Sequence, residues 1–324
     1  MTTLLIDGTN LAIIHFTANP SVDSNGVPVG MVKGFLNALS NLNRTLSPDK
    51  IMIFFDGKGN SNQRKAIFSE YKEGRKAKQV VGRLYKFSDS DKAEKNKEYQ
   101  FFILREMIDL LPVTMTVCNN FEADDGISYT AKYRKENNLG HVYIVSCDKD
   151  FYQLIDSDVS VYNPMSKKIF GRNEVIEEFG IHPNNWLLYR AIVGDVSDNI
   201  DGVKGLGPKT LLKIFSLESD IKFDLEDVET VCDSVEVNSK KPDTLTKNLL
   251  KIKENLSKIK RNWELMNLSS PMLTSNSREV LDGAMTESTH FKKLEFWKAS
   301  TNNCLNLNLP SFDNLRFLTK GKNK

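Results

Sequence analysis

Short apolar runs alternate, through the first half of the chain, with stretches whose apolar residues recur every three or four positions. Thr2 to Ile6 reads as a strand that runs straight into Asp7-Gly8-Thr9-Asn10. From Gly30 to Leu46 the residues Met31, Phe35, Leu39 and Leu42 share one helical face, and Ser47-Pro48-Asp49 stops the helix. Lys50 to Phe55 is apolar without alternation, as expected of a strand covered on both faces, and it ends on Asp56-Gly57. The stretch from Lys58 to about Glu98 is polar and basic, with no core face until Tyr99-Gln100-Phe101-Phe102-Ile103-Leu104 opens a helix that ends near Leu110-Leu111-Pro112. So long a connection inside a compact domain is usually functional or disordered. Strands follow at Val113–Val117, His141–Ser146 and Val159–Tyr162, with a helix over Gly126–Lys135 between the first two.

Strands alternating with helices predict an α/β fold, a mainly parallel central sheet with helices on both faces. In such sheets ligands bind beyond the carboxyl ends of the strands. Asp7, Asp56, Asp148 and Asp150 follow strands directly, and Glu122, Asp124 and Asp125 follow the third. A single such acid is commonly a turn residue or a helix cap. Four strand ends behaving alike instead predict one acidic site.

With no His or Cys among them, these carboxylates describe a hard oxygen site suited to magnesium or manganese. Their number and pairwise spacing suit two ions, the arrangement used for in-line displacement at phosphorus. A second pattern runs from Gly194-Asp195-Val196-Ser197-Asp198 through Gly202-Val203-Lys204-Gly205-Leu206-Gly207-Pro208-Lys209, between helix-like runs at Asn185–Val193 and Thr210–Phe215. Its glycines let backbone amides approach a phosphate, which makes it a helix–hairpin–helix pattern for gripping a nucleic-acid backbone.

The 324 residues, 40% hydrophobic and 27% charged, describe a globular chain with a sizeable core. No run is apolar enough to cross a bilayer, and the first residues lack a signal-peptide pattern, so a cytoplasmic protein is expected. Cys118, Cys147, Cys232 and Cys304 have no CxxC spacing and suggest neither zinc nor a disulfide framework. A net charge of +2 conceals segregation: residues 64–86 hold eight Lys or Arg against two Glu, and residues 240–261 hold eight against two acids. Basic blocks on a chain that also concentrates carboxylates point to a polyanionic partner beside a metal site. For either block alone, a solvated helix face is the competing explanation.

The motifs Leu5-Ile6-Asp7-Gly8, Phe55-Asp56-Gly57, Glu122-Ala123-Asp124-Asp125, Asp148-Lys149-Asp150 and Gly194-Asp195-Val196-Ser197-Asp198-Asn199-Ile200 resemble those of the flap endonuclease, or 5′-nuclease, family. The likeness covers roughly residues 2–270 and is strongest to small phage-encoded members that lack a polymerase domain. It implies a PIN-like core with a basic helical arch at about 58–98 inside residues 1–180. A helical DNA-binding region at 181–270, with a helix–three-turn–helix at about 185–215, and a C-terminal extension at 271–324 complete the expected division.

By that resemblance the metal-site acids are Asp7, Asp56, Glu122, Asp124, Asp125, Asp148, Asp150, Asp195 and Asp198, none replaced. Tyr71-Lys72-Glu73-Gly74-Arg75 matches the arch motif, so Lys72 and Arg75 inherit contacts to the scissile phosphate, and Asp124 is assigned between two ions. Gly202, Val203 and Leu206 are nominated for a potassium ion. Lys204, Gly205, Gly207 and Lys209 are nominated for phosphate contact. Residues 261–268 resemble the family's last core helix, which packs on the sheet domain. Phe312 to Leu318 is either a peptide for a clamp or single-strand-binding protein or a packed C-terminal element.

The implied activity is a monomeric, magnesium-dependent 5′-to-3′ exonuclease and flap endonuclease, also cutting RNA–DNA hybrids, that removes RNA primers and adjacent DNA from lagging-strand fragments. Two rivals stand beside it: a non-catalytic module binding branched DNA, and a Toprim-like or phosphatase-like metal-dependent phosphoryl hydrolase.

Overall fold

The computed structural model describes residues 1–74, 90–234 and 243–308. In chain order the elements are β1 (Thr2–Asp7), α1 (Gly8–Ala18), α2 (Gly30–Leu46), β2 (Lys50–Asp56), α3 (Asn62–Ile67), α4 (Ser90–Asp109), β3 (Thr114–Cys118), α5 (Ala123–Glu136), β4 (His141–Val145), β5 (Val159–Asn163), β6 (Lys168–Phe170), α6 (Arg172–Phe179), α7 (Trp186–Val193), β7 (Gly194–Asp195), β8 (Ile200–Asp201), α8 (Pro208–Phe215), α9 (Leu225–Asp233), α10 (Thr244–Glu254), α11 (Leu256–Met266), α12 (Ser275–Thr286) and α13 (Lys293–Asn302). They form two compact units, one of residues 1–60, 76–147 and 273–324, the other of residues 61–75 and 148–272.

In the first unit β3, β2, β1 and β4 lie side by side and all parallel, with Leu4 opposite Ile51 on one flank and Tyr143 on the other. Successive strand residues face opposite sides, and β2 shows what covers each. Phe55 meets Phe35 of α2 and Phe101 of α4, with ring centroids 6.0 and 6.3 Å apart, whereas Phe54 lies under Gly126 of α5. Helices therefore cover both faces, which is why β1 and β2 are apolar without alternation. The order of strands reverses between β1 and β4, the position beyond which ligands bind in sheets of this kind. Residues after 272 also build this unit: Leu281 is buried, Tyr129 Oη donates to Asp282 at 3.0 Å, and the Lys292 amide donates to Leu110 at 2.9 Å.

In the second unit β5 and β6 form an antiparallel hairpin with Val161 opposite Phe170. Tyr152, Phe170, Phe179 and Trp186 pack together, with Tyr152 5.1 Å from both Phe170 and Trp186. Asn262 of α11, fully buried, donates to Ala191 at 3.0 Å and Asp201 at 2.9 Å, which ties α11 to α7 and β8.

Several sequence expectations change. By packing, the first compact unit runs to Cys147, and Tyr152 packs with the aromatic side chains of α6 and α7. Within the described part of 271–324, α12 and α13 pack on the sheet unit. α11 packs on α7 within the second unit. α4 begins nine residues before Tyr99; from Lys92 on, its first buried residue is Gln100, so its polar first half carries no periodicity. α5 begins at Ala123, which puts Asp124 and Asp125 inside its first turn. α1, α3, β6 and α6 carry no signal in the apolar pattern read above. Arg75 and the rest of residues 75–89 in the arch, and residues 312–318, lie outside the described residues.

Candidate active site

Each acid of the first unit is held by the element it ends or begins. Asp7, buried, closes β1 and caps α1, its Oδ1 accepting the Asn10 amide at 2.9 Å and its Oδ2 accepting from Ser146 at 3.0 Å. The immediate turn into α1 requires Gly8, where a Cβ would stand 2.8 Å from the Phe54 carbonyl oxygen and from the Ile53 and Phe55 side chains. Asp56, at the end of β2, accepts the Asn60 amide at 2.9 Å and the Ala123 backbone amide at 3.1 Å, so it also fixes the start of α5. Glu122 stands at the N-cap position of α5, and Glu122 and Asp125 are buried. The helix N-terminus favours negative charge here. The Cys118 thiol registers the cluster: burial pushes it well above its ordinary range, and the charges of Asp56, Asp124, Asp125 and Asp7 push it further.

The second unit carries its own acidic group, organised by a residue that motif reading passed over. Asp148 follows β4 in the chain and caps the short helical turn Lys149–Leu154, accepting the Asp150 amide at 2.8 Å. Arg190 of α7 donates to Asp150 at 2.7 Å and bonds Asp195 on β7. Burial pushes the Asp150 carboxyl up to about 7, with the Asp148 charge adding to it and Arg190 opposing. Asp148 is raised by burial and by Asp198 and Asp195 against the pull of Arg190. Asp195 goes the other way: burial raises it, but Arg190 and the hydrogen bonds from Ser197 outweigh that and leave it lowered. The available signal for Arg190 was a lone cation in the last turn of an otherwise apolar helix, one turn before an Asp.

The segment preceding the undescribed arch residues is anchored within the same unit. Tyr71 Oη donates to Asp198 at 3.1 Å, the Lys72 amide donates to the Asp198 carbonyl at 2.9 Å, and Asn199 donates to the Glu70 carbonyl at 2.8 Å. Lys72 takes a left-handed backbone conformation (φ 57°) and its ammonium lies 4.9 Å from the Tyr71 ring centroid. Tyr71 packs with Leu187, Ile200, Leu265 and Met266. Arg64, counted in the basic block, is buried and donates to the Leu265 carbonyl at 2.9 Å, a structural role.

The turn between α7 and α8 is built as its glycines suggested. A Cβ on Gly202 would fall 1.9 Å from the Val193 carbonyl oxygen, and Gly205 has φ +80°. Pro208 starts α8, two residues before the expected Thr210. Val203 and Leu206 are buried, while Lys204 and Lys209 are exposed.

Among the described residues no three His, Cys, Asp or Glu side chains are already gathered as a metal-binding group. Asp7 is engaged by Ser146, Asp56 by Asn60, and Asp150 and Asp195 by Arg190. The donors nonetheless fit a hard divalent ion: all are carboxylates, several are buried, and burial first and neighbouring carboxylates second raise Asp148 and Asp150 against Arg190.

Comparison with known proteins identifies the family of the chain. Residues 2–180 match the family described as 5′-3′ exonuclease, N-terminal resolvase-like domain. The 5′-3′ exonuclease of Aquifex aeolicus is 31% identical over 214 residues, 66% of this chain and 68% of that protein. The thermostable DNA polymerase I of Thermus aquaticus is 33% identical over 68% of this chain, but the match spans only 25% of the polymerase. The fold is similar to that of bacteriophage T5 D15 protein crystallised with metal ions, at a TM-score of 0.66 and 19% identity over 94% of this chain and 98% of that one. Among the described residues no helix is long and apolar enough to cross a membrane. With the family matched over more than half its length, the chain belongs to the 5′-3′ exonuclease family.

Proposed function

We propose that the chain is a divalent-metal-dependent, structure-specific 5′-to-3′ exonuclease and flap endonuclease that hydrolyses phosphodiesters near single-strand/duplex junctions. The observation that carries this reading is the intact set of nine motif acids, sorted into a group at the ends of parallel strands and a group around Arg190. Asp7, Asp56, Glu122, Asp124 and Asp125 in one unit, and Asp148, Asp150, Asp195 and Asp198 in the other, would hold two magnesium ions, with manganese as a substitute. When bound, such ions lower the pKa of a coordinated water and offset charge on phosphoryl oxygens.

The chain's own residues do the rest. Asp124, in the first turn of α5, is the carboxylate assigned between the ions. Lys72 and Arg75 supply positive charge where it develops on the phosphate, and the Tyr71–Asp198 bond sets the approach of Lys72. Gly205 and Gly207, with Lys204 and Lys209, hold a duplex backbone without reading its sequence. The carbonyls of Gly202, Val203 and Leu206 are assigned to potassium. A neighbour of the same fold is described as the T5 D15 flap endonuclease in a complex with DNA and metal ions, which supports the substrate class.

In the cell this activity would remove RNA primers and adjacent DNA, including RNA–DNA hybrids, in the cytoplasm of a host. The protein would act as a monomer, with a clamp or single-strand-binding protein engaging residues 312–318. The test is cleavage of a 5′-labelled flap substrate in magnesium or in chelator. Cleavage by the parent in magnesium, with Asp124→Asn inactive but still binding the junction, is the expected result. Equal cleavage by Asp124→Asn would sink the mechanism, and binding without cleavage by the parent would favour the non-catalytic module.

A further inference from the structure

The basic block at 240–261 has no role in the reading above, and the fold sorts its described members by what they touch. Lys253 pairs with Asp233 at 3.0 Å and Lys260 pairs with Glu229, both acids being on α9. Arg261 stacks 4.0 Å from the Phe68 ring centroid and bonds Asn262. These three cations are engaged inside the unit. Lys251 is not: it is exposed on α10, without a carboxylate partner among the described residues, and its Nζ lies 3.4 Å from where a Cβ on Gly205 would stand. A lysine from a helix some forty residues further along thus rests against the turn between α7 and α8.

That turn is prepared for an anion. Exposed Lys204 and Lys209 flank it, and Gly207, at the start of α8, would meet nothing within 4 Å if it carried a Cβ. Cations brought to one turn repel each other unless an anion joins them. Lys247, also exposed, precedes Lys251 by four residues and so shares its helix face one turn away.

We propose that Lys251, with Lys247, extends the α7–α8 turn into a phosphate-binding edge, so that α10 is part of the surface that grips the backbone of duplex nucleic acid. The ligand class rests on the nuclease reading, while the edge itself rests on the Lys251–Gly205 approach. Contacts of this kind add affinity without sequence preference and release counterions.

The experiment is fluorescence anisotropy of the full chain on a labelled 5′-flap duplex in chelator across a salt series, for the parent, Lys251→Ala, Lys247→Ala/Lys251→Ala and Lys253→Ala. The expected result is about 3- to 10-fold weaker binding for Lys251→Ala, a log K against log salt slope shallower by about 0.9 per lysine removed, and near-parent behaviour for Lys253→Ala. Lys251→Arg should restore the slope, which a purely structural role would not require. Parent affinity and slope in Lys251→Ala, or equal losses in Lys253→Ala, would overturn the edge even if the parent cleaves flaps in magnesium. A parent that binds this edge normally but never cleaves would overturn the nuclease reading alone. A parent that binds no nucleic acid would overturn both.

Discussion

Arg190 is the cation on which the second acidic group depends, so its removal tests how that group is held. Its guanidinium donates to Asp150 at 2.7 Å and bonds Asp195, and the three side chains are only 15–16% exposed. Arg190→Met keeps most of the apolar stem and leaves both carboxylates uncompensated beside Asp148. Removing one partner of a buried pair costs on the order of 3–5 kcal/mol, and the residual solvent access here puts the expectation at about 3 kcal/mol.

The penalty should depend on pH. Asp150 sits at about 7 in the folded chain, through burial first and the Asp148 charge second, against an ordinary Asp value of about 3.9. The folded state therefore binds more protons than the unfolded one, and this group's contribution to stability falls as pH rises from about 4 through 7. Without Arg190 the folded carboxyls rise further, so the fall steepens and the mutational penalty is larger at pH 8 than at pH 5. Urea unfolding in chelator, followed by tryptophan fluorescence to which buried Trp186 contributes, would read this. With an m-value of about 2–3 kcal/mol/M, the midpoint should drop by about 1–1.5 M at pH 8. An unchanged midpoint at pH 8, or the same loss at both pH values, would refute the reasoning.

Two further outcomes follow from the packing. Gly202→Ala drives a methyl to 1.9 Å from the Val193 carbonyl oxygen, so unfolding should show a loss of about 1–3 kcal/mol, together with weaker duplex binding; parent-like stability would contradict the close approach. Cys118, buried and raised by its acidic neighbours, should resist iodoacetamide at pH 8 while the partly exposed Cys147 reacts. Mass spectrometry of the labelled peptides decides it, and equal rates would mean that the sheet edge around Cys118 is open.

The sequence by itself determined the parallel sheet, the acids at its strand ends and the glycine turn before α8. These depend on local facts: unbroken apolar runs, Asp directly after a strand, and glycines where no Cβ fits. It missed the start of α4, where Lys92 to Tyr99 bury no side chain, and α1, which begins without a spacer after β1. It counted Arg64 in a basic block, although its guanidinium satisfies the Leu265 carbonyl in the interior. The use of each charge was decided only by tertiary structure. Arg190 reaches Asp150, forty residues back, as well as Asp195, five residues on, Tyr71 reaches Asp198, and Lys253 and Lys251, two positions apart on α10, go to an acid and to a glycine turn respectively. A charge's partner is set by distance in space, and a sequence states only distance along the chain.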